Sequence, residues 1–440
     1  MSYKESKIQG VGTIPSHWIE SKWRYITNIL TDYTANGSFG DLAKNVQYLN
    51  EPDYARLIRL TDLRTNLSNE GLYVNEHSYN YLKKSSLYGG EFLIANVGAN
   101  AGLVLEMPVI KEKATLGPNM MMARFNGKTV DNKFMLYSAN SEYIQNQLML
   151  KATASSAQPK LNKEDFRSIE FVYPPTDEQR IIAKYLDQKT SQVDKLISFQ
   201  KRKLQILEHQ RQSIITEAVT KGLNPNVKMK DSGVEWIGEI PEHWEIKPLY
   251  SLYKENKLKN KGNEIKNVLS LSYGKVKRRD VESNYGLLPD SFETYQILQK
   301  DDIVLRLTDL QNDKRSLRVG LVNEEGIITS AYLGLKQSDK SVSEYTYYLL
   351  HSYDLMKVFY GLGSGVRQSM GYTEMKKLPI LLPPLDEQIK IIELLKIQVV
   401  ENENLIDKLK KQIEKLKEYR QALIYEAVTG KIDVRDMKLD

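Results

Sequence analysis

Basic side chains are concentrated in one segment of this 440-residue chain. Ten of them lie between Lys247 and Arg279, where only Glu255 and Glu264 oppose them: Lys247, Lys254, Lys257, Lys259, Lys261, Lys266, Lys275, Lys277, Arg278 and Arg279. Tyr250, Tyr253 and Tyr273 are interleaved with these bases. Lys and Arg neutralise phosphates, and aromatic rings stack on nucleic-acid bases. A charge run is equally typical of a solvated face, and both interpretations stay open.

Polar residues also follow predicted strands. Alternation typical of strands occurs at four places: 55–60, 90–95, 302–307 and 319–322. Arg-Leu-Thr-Asp-Leu ends two of them, at Arg59–Leu63 and Arg306–Leu310. Each half also has a loop of small residues that carries Gln and a basic residue, at 154–160 and 363–368. Asp62 and Asp309 are predicted to cap or orient the strand-end loops.

Patterns for catalysis are missing. Before Gly127-Lys128-Thr129, Met122 stands where a phosphate-binding loop requires its first Gly. The glycines of 361–365 lack a strand-to-helix context, and the five His residues show no metal-ligand spacing. The sequence therefore predicts no catalytic residue, no metal site and no enzymatic activity in this chain.

Composition limits the class of protein. The net charge of +6 permits a nucleic-acid partner without requiring one, and 41% hydrophobic residues are ordinary for a globular chain. Cys is absent, and neither a membrane span nor a signal core is visible. We expect a cytoplasmic protein with at least two domains.

The chain contains an internal duplication that positions these residues. Pro174-Pro175-Thr176-Asp177-Glu178-Gln179 returns as Pro383-Pro384-Leu385-Asp386-Glu387-Gln388, an offset of 383 − 174 = 209. A second motif, Gly-x-Ile-Pro-x-His-Trp, opens each half at Gly12 and Gly238. Similar ends around dissimilar middles predict two copies of one design, a variable domain followed by a helical segment.

A long helix is predicted after each Pro-Pro pair, ending near Gly222 and near Gly430. In both helices, apolar residues are spaced by alternating threes and fours, which is the seam of a coiled coil. The first seam contains Val193, Ile197, Gln200, Leu204, Leu207, Arg211, Ile214 and Ala218, and the second contains Ile406, Leu409, Ile413, Leu416, Arg420, Leu423 and Ala427. We expect the two helices to pair antiparallel, with an approximate two-fold axis.

The predicted fold class is α+β, with two tandem α/β domains joined by these helices. The predicted segments are a first variable domain (1–173), a central helical region with a polar linker at 228–234 (174–235), a second variable domain (236–382) and a C-terminal helical region (383–440). Short helices are expected at 133–149 and 343–359.

These motifs resemble the specificity subunit of a type I restriction-modification system, over essentially the whole chain. The phrase at 233–244, Gly-Val-Glu-Trp-Ile-Gly-Glu-Ile-Pro-Glu-His-Trp, and the paired Pro-Pro-x-Asp-Glu-Gln carry the resemblance. It implies that each variable domain reads one half of a split DNA target and that the coiled coil sets their spacing. It also implies two methyltransferase subunits and two restriction subunits as partners, with S-adenosylmethionine, ATP and Mg²⁺ used there.

Arg and Gln can make paired hydrogen bonds to guanine and adenine edges. Besides the basic residues Lys275, Lys277, Arg278 and Arg279, the predicted DNA contacts are Arg59, Thr61, Arg64, Gln158, Lys160, Arg306, Thr308, Gln311, Asn312, Lys314, Arg315, Arg367 and Gln368. Two alternatives remain: a reader subunit of a related fused restriction-methylation enzyme, and a coiled-coil scaffold that binds proteins.

Overall fold

Two long helices run through the chain, Thr176–Lys221 and Leu385–Val428, here called the first and second long helix. Both have two acidic residues in the first turn, where the helix dipole favours negative charge. Gly222 and Gly430 follow their ends with positive φ angles of 76° and 70°, which glycine adopts without strain. The predicted helix ends are confirmed.

The computed structural model describes residues 2–153, 158–279, 289, 291–310, 317–338, 341–362, 369–435 and 437. The chain forms two units: unit 1 comprises Met1–Gln200 with Gln412–Asp440, and unit 2 comprises Lys201–Lys411. Each unit thus contains one variable domain and part of both long helices. The four segment boundaries given above remain a prediction.

The long helices are buried along narrow stripes. Between residues 404 and 422, the second long helix has only five residues that are not exposed: Ile406, Leu409, Ile413, Leu416 and Arg420. In the first, Val193 and Ile197 are buried, and the half-buried positions that continue their stripe are Gln200, Leu204, Leu207, Arg211 and Ile214. A 3.5-residue period keeps one narrow stripe facing a partner helix.

The long helices pair antiparallel within each unit. In unit 1, Leu186 near the start of the first helix shares a core with Leu423 near the end of the second. In unit 2, Val219 near the end of the first helix shares a core with Leu395 near the start of the second. The fold class, α/β domains joined by two antiparallel long helices, is confirmed.

Unit 1 contains a four-stranded and a five-stranded sheet and two small antiparallel pairs. The four-stranded sheet has the order Val104–Glu106, Phe92–Ala95, Met120–Phe125, Thr27–Asp32. The five-stranded sheet has the order Tyr48–Leu49, Leu72–Val74, Ala55–Ile58, Lys113–Leu116, Ser86–Leu87. The pairs are Tyr3–Glu5 with Thr13–Pro15 and Glu170–Tyr173 with Ile19–Lys22.

The shorter helices of unit 1 are Phe39–Asn45, Leu60–Arg64, Glu76–Tyr81, Asn132–Ala139, Glu142–Thr153 and Lys163–Arg167. The single helix expected at 133–149 is wrong, because two helices meet at Asn140 and Ser141. The Asn140 amide donates to the Leu136 carbonyl, and the Ser141 hydroxyl donates to that of Ser138. Such side chains compete with the helical backbone and favour a break.

Unit 2 also contains a four-stranded sheet, of order Tyr253–Glu255, Leu333–Gln337, Ile303–Leu305, Val319–Leu321. Its paired strands are Met229–Asp231 with Glu239–Pro241, Glu245–Pro248 with Pro379–Leu382, Leu269–Ser272 with Lys275–Arg278, and Gln296–Leu298 with Gly326–Ile328. Its shorter helices are Ser343–Leu355, Val358–Leu362 and Tyr372–Met375.

Two expectations for unit 2 need correction. The helix expected at 343–359 is interrupted after Leu355, because Lys357 adopts a positive φ of 63°. The segment 228–234 is not a plain linker, since Met229–Asp231 pairs with Glu239–Pro241 in the same way that Tyr3–Glu5 pairs with Thr13–Pro15. No helix in the described part of the chain is long and apolar enough to cross a membrane.

Candidate nucleic-acid interface

The duplicated motifs meet at one place in each unit, here called the helix junction. In unit 1, Glu178 in the first turn of the first long helix accepts hydrogen bonds from Trp18 Nε1 at 3.1 Å and pairs with His17 Nε2 at 2.8 Å. In unit 2, Glu387 does the same with Trp244 at 3.1 Å and His243 at 2.8 Å. His17 and His243 therefore have the same structural role in the two units.

The Gln of each motif holds the variable domain on its helix. The buried Gln179 amide accepts a hydrogen bond from the Asp131 backbone N–H at 2.8 Å, directly before a helix of the domain. Gln388 accepts one from the Val342 N–H at 2.9 Å, at the same point of unit 2. The amide groups donate to the carbonyls of Pro174 and Pro383. The motif therefore fixes the entry of a domain helix against the start of a long helix.

The end of the other long helix closes each junction. A Cβ at Gly430 would lie 3.1 Å from the Trp18 ring, and one at Gly222 would lie 3.2 Å from the Trp244 ring. Both glycines also have positive φ angles. Each Trp thus lies between the start of one long helix and the end of the other, which explains why the sequence repeats all these motifs together.

Loops from several strands form one edge in unit 1, here called the strand-end edge. Ala55–Ile58 and Lys113–Leu116 are parallel, so both end at the same side of their sheet. Backbone hydrogen bonds then link loop to loop: Gly117 N–H to the Ile58 carbonyl at 2.8 Å, Asn96 to Asn119 at 3.2 Å, Leu161 to Asn96 at 2.9 Å and Gly98 to Pro159 at 2.9 Å. Most of the predicted contacts of unit 1 lie along this edge.

The five predicted contacts of unit 1 differ in their availability. Thr61, Arg64, Gln158 and Lys160 are exposed, and Arg64 Nη2 donates to Asn100 Oδ1 at 2.5 Å. Arg59 instead makes a two-point ion pair with buried Asp62, at 2.8 and 3.0 Å. Arg59 therefore positions the loop, and its side chain is half-buried.

Asp62 holds the start of the Leu60–Arg64 helix. Burial opposes ionisation of its carboxyl, but hydrogen bonds from Arg59 and Asn69 outweigh burial and lower its pKa. Its Oδ2 also accepts the Arg59 backbone N–H at 2.8 Å. The prediction that Asp62 orients this loop is confirmed.

A cleft of about 830 Å³ opens beside this edge. Its lining includes exposed Phe39 and Lys160, half-buried Lys163, and Asn96, whose Oδ1 is buried without a hydrogen-bond partner. The sequence reasoning missed Asn96 and Asn100. The available signal was the small-residue stretch 97–102 directly after a strand, which resembles the two loops that were singled out.

The predicted contacts of unit 2 are only partly described. Gln311, Asn312, Lys314, Arg315, Arg367 and Gln368 lie outside the described residues. Arg306 and Thr308 follow the strand Ile303–Leu305 and are half-buried. Fully buried Arg318 donates to the carbonyls of Arg306 at 3.1 Å and Thr308 at 3.0 Å, so a buried guanidinium shapes this loop.

The two Arg-Leu-Thr segments do not occupy equivalent places. Arg59 follows a strand of the five-stranded sheet, whereas Arg306 follows the strand that matches Phe92–Ala95 in order and pairing. Arg306 therefore corresponds to Asn96. Lys160 and Met370 do correspond, since Met370 N–H donates to the Leu307 carbonyl at 2.9 Å and Lys160 pairs with Val97.

The densest part of the basic segment is a hairpin with Tyr273 and Gly274 at its turn. Lys275 pairs with Glu403 of the second long helix at 2.8 Å, and Arg278 pairs with Glu324. Lys277 is exposed, and Arg279 is half-buried. Because alternate residues of a strand face opposite sides, Lys275 and Lys277 face one side of the strand Lys275–Arg278 and Arg278 faces the other.

Each unit combines one variable domain with paired parts of the two long helices, and this repeated arrangement defines a two-part protein. A family model described as the type I restriction modification DNA specificity domain matches residues 40–209 and 241–415. The chain belongs to this family.

Relatives support the assignment. The chain is 24% identical over 426 residues to the type I restriction enzyme MjaVIII specificity subunit of Methanocaldococcus jannaschii, covering 93% of this chain and 89% of that protein. It is 22% identical over 444 residues to the putative MjaX specificity subunit of the same organism, covering 98% of each.

The fold is similar to a chain in a structure described as the basis of complex assembly and conformational transition of the type I R-M system. The TM-score is 0.67 with 14% identity, covering 95% of this chain and 99% of that one.

Proposed function

We propose that this chain is the DNA sequence-recognition subunit of a type I restriction-modification enzyme, in which each variable domain reads one half of a split target. One observation carries the proposal. The helix junctions of both units contain the same side-chain contacts, to Glu178 in one and to Glu387 in the other, whereas the sheets of the two variable domains differ in strand number and order. A repeated frame that carries two different domains is what two different half-sites require.

The chemistry of the strand-end edge suits DNA. Thr61, Arg64, Gln158 and Lys160 supply hydroxyl, guanidinium, amide and ammonium groups, which are donors to phosphates and base edges. Cations such as Lys277 add contacts to the backbone, which give affinity without sequence preference. In unit 2, Arg306, Thr308 and the predicted contacts beyond the described residues take the corresponding role.

The long helices set the distance between the half-sites. They contain 46 and 44 residues, which at ~1.5 Å per residue gives about 65–70 Å of helix. Half-sites one turn of DNA apart lie ~34 Å from each other. Two helices of this length have room to separate two readers by that distance.

The long helices also have exposed apolar side chains outside their seams, where partner subunits would dock. They include Leu196, Phe199 and Ile206 on the first helix and Leu385, Ile389, Ile397, Val400 and Leu405 on the second. Exposed apolar patches are typical of protein-interaction sites. We assign two methyltransferase subunits to the helices, and two restriction subunits complete the enzyme. S-adenosylmethionine, ATP and Mg²⁺ act in those partners.

Exchange of one recognition domain tests the two-reader proposal. Replacing residues 236–382 with the domain of a relative should change one half-site and leave the other intact, as read by sequencing of methylated DNA. Inserting seven residues into both long helices adds ~10 Å and should lengthen the tolerated gap by about three base pairs. A change in both half-sites, or in neither, contradicts the proposal.

A point variant tests the edge of unit 1. Arg64→Ala with Thr61→Ala should weaken only the first half-site, by ~1–3 kcal/mol for each lost base contact. Arg180→Ala is the control, because this exposed Arg lies on a long helix and pairs with Asp177. A protein scaffold without DNA function would show no salt-dependent DNA binding in the assembled methyltransferase. A reader of a fused restriction-methylation enzyme is separated from our proposal by the subunits that co-purify with the chain.

A further inference from the structure

Because the helix junctions of the two units are equivalent, the contacts between each variable domain and its long helix can be compared residue by residue. Asp131 and Val342 each donate a backbone N–H to the motif Gln, and each directly precedes a domain helix. Lys133 is the second residue of the helix Asn132–Ala139, and Glu344 is the second residue of the helix Ser343–Leu355. The two side chains therefore occupy the same position.

Both residues form an ion pair with a long helix, but with opposite charges. Lys133 Nζ lies 2.5 Å from Asp187 Oδ2 of the first long helix. Glu344 Oε2 lies 2.7 Å from Lys396 Nζ of the second. The partners are equivalent too, since 396 − 187 = 209 is the offset of the Pro-Pro motifs. The domain residue is thus basic and its helix partner acidic in unit 1, whereas the domain residue is acidic and its helix partner basic in unit 2.

The ion pairs between the long helices behave differently. Arg420 pairs with Asp194 in unit 1, and Arg211 pairs with Glu403 in unit 2. These residues are also equivalent at the same offset, and here the signs are the same. The duplication has therefore kept the polarity of the helix-to-helix pairs and reversed that of the domain-to-helix pairs.

We propose that the pairs Lys133–Asp187 and Glu344–Lys396 form a charge code by which each long helix accepts its own variable domain and disfavours the other. A wrong combination would place Lys133 against Lys396 and Glu344 against Asp187, with like charges at both contacts. The proposal concerns assembly of the chain and does not depend on DNA reading.

The surroundings strengthen the code in unit 1. The hydrogen bond to Asp187 and its charge raise the pKa of Lys133, and Glu106 and Asp131 contribute in the same direction. Asp187 also accepts a hydrogen bond from the Tyr137 hydroxyl at 2.9 Å. An acidic residue at position 133 would thus face three carboxylates, whereas a Lys faces complementary charge.

Exposed ion pairs contribute little to stability, but discrimination depends on the difference between the right and the wrong partner. All four residues keep part of their surface in water, since their side chains are 60% and 41% exposed in unit 1 and 58% and 24% in unit 2. We therefore expect that reversing these charges changes Tm modestly. The sign of the change should depend on which variable domain contacts which long helix.

The decisive test compares two orders of the domains in the full-length chain. One chain has the native order, and the other has residues 12–173 and 238–382 exchanged. Into both we introduce Asp187→Lys with Lys396→Glu. The pair of substitutions should lower Tm by a few degrees in the native order and raise it by a similar amount in the exchanged order. A change of the same sign in both orders, or none in either, overturns the proposal.

A second measurement applies if the exchanged chain does not fold. In the native order, Glu344→Lys should lower Tm, and Glu344→Lys with Lys396→Glu should restore it. Glu344→Lys with Asp187→Lys should not, because these residues belong to different contacts. Lys417→Glu, which breaks the exposed pair with Glu414, is the control. A restoration by the mismatched pair, or an equal loss in the control, contradicts the charge code.

Discussion

Arg420 of the second long helix donates through Nε to Asp194 Oδ1 of the first at 2.9 Å. The equivalent pair in unit 2, Arg211 Nη1 with Glu403 Oε1, is 3.4 Å long. Each Arg stands at a seam position where an apolar residue would be expected, and a polar residue at such a position can fix the register of a coiled coil. The ion pairs supply the mechanism, because a shift of either helix by one turn would separate Arg from its acidic partner.

Reversal of one charge should loosen this register. Asp194→Arg places two guanidinium groups together and should lower stability by about 0.5–1 kcal/mol, since the pair is partly exposed. Arg420→Asp in the same chain should recover most of the loss. Thermal unfolding of both single variants and the double variant measures the coupling, and additive losses would show that the pair does not contribute.

Burial along the seam predicts very different effects for two Leu residues four positions apart. Leu409 is 6% exposed and Leu405 is 48% exposed on the same helix. Leu409→Ala should destabilise the chain by roughly 2–4 kcal/mol through lost burial and the cavity left behind. Leu405→Ala should cost less than about 1 kcal/mol. Chemical denaturation compares them, and equal losses would contradict the seam.

The junction carboxylate should matter more than its exposed neighbour. Glu178→Ala removes the partner of Trp18 Nε1 and His17, leaving a buried indole N–H without an acceptor, which costs about 1–3 kcal/mol. Asp177→Ala is the matched control, because Asp177 has the same charge, lies one residue earlier and has a side chain that is 94% exposed. If both variants have the same Tm, the contacts of Glu178 at the junction do not stabilise the unit.

One buried His predicts a dependence of stability on pH. Burial, and secondly the charge of Arg211, lower the pKa of His351 to about 4. The unfolded chain takes up this proton near pH 6.5, so His351 contributes full stability above that pH and loses it as pH falls toward 4. The free energy of unfolding should therefore fall over this range by on the order of 2–3 kcal/mol more than it does in His351→Gln, as measured by thermal unfolding at each pH. Parallel pH curves for the two proteins would refute this.

Arg318 should control the loop after Ile303–Leu305. Arg318→Lys keeps the charge but cannot donate to several carbonyls at once with a planar fork. We expect a loss of roughly 2–3 kcal/mol in stability and weaker recognition of the second half-site alone. Thermal unfolding of the variant measures the loss of stability, and sequencing of methylated DNA measures the change in recognition. An altered first half-site would show that the effect is not local.

Local periodicity and repetition let the sequence by itself determine the duplication, the two long helices with their ends and seam spacing, the α+β class and the family. A helix signals itself through residues three and four apart, and each repeated motif lies within one short segment. The same holds for Asp62, whose partners Arg59 and Asn69 are its neighbours in the chain.

Only the tertiary structure decided which distant segments meet. Arg59 and Arg306 share a local sequence but follow strands of different sheets, and strand order depends on pairing between remote segments. For the same reason Arg318 could not be recognised as the residue that shapes the loop after Ile303–Leu305. The reversed pairs Lys133–Asp187 and Glu344–Lys396 join residues more than fifty positions apart, so their opposite signs have meaning only once the domain helices are docked on the long helices.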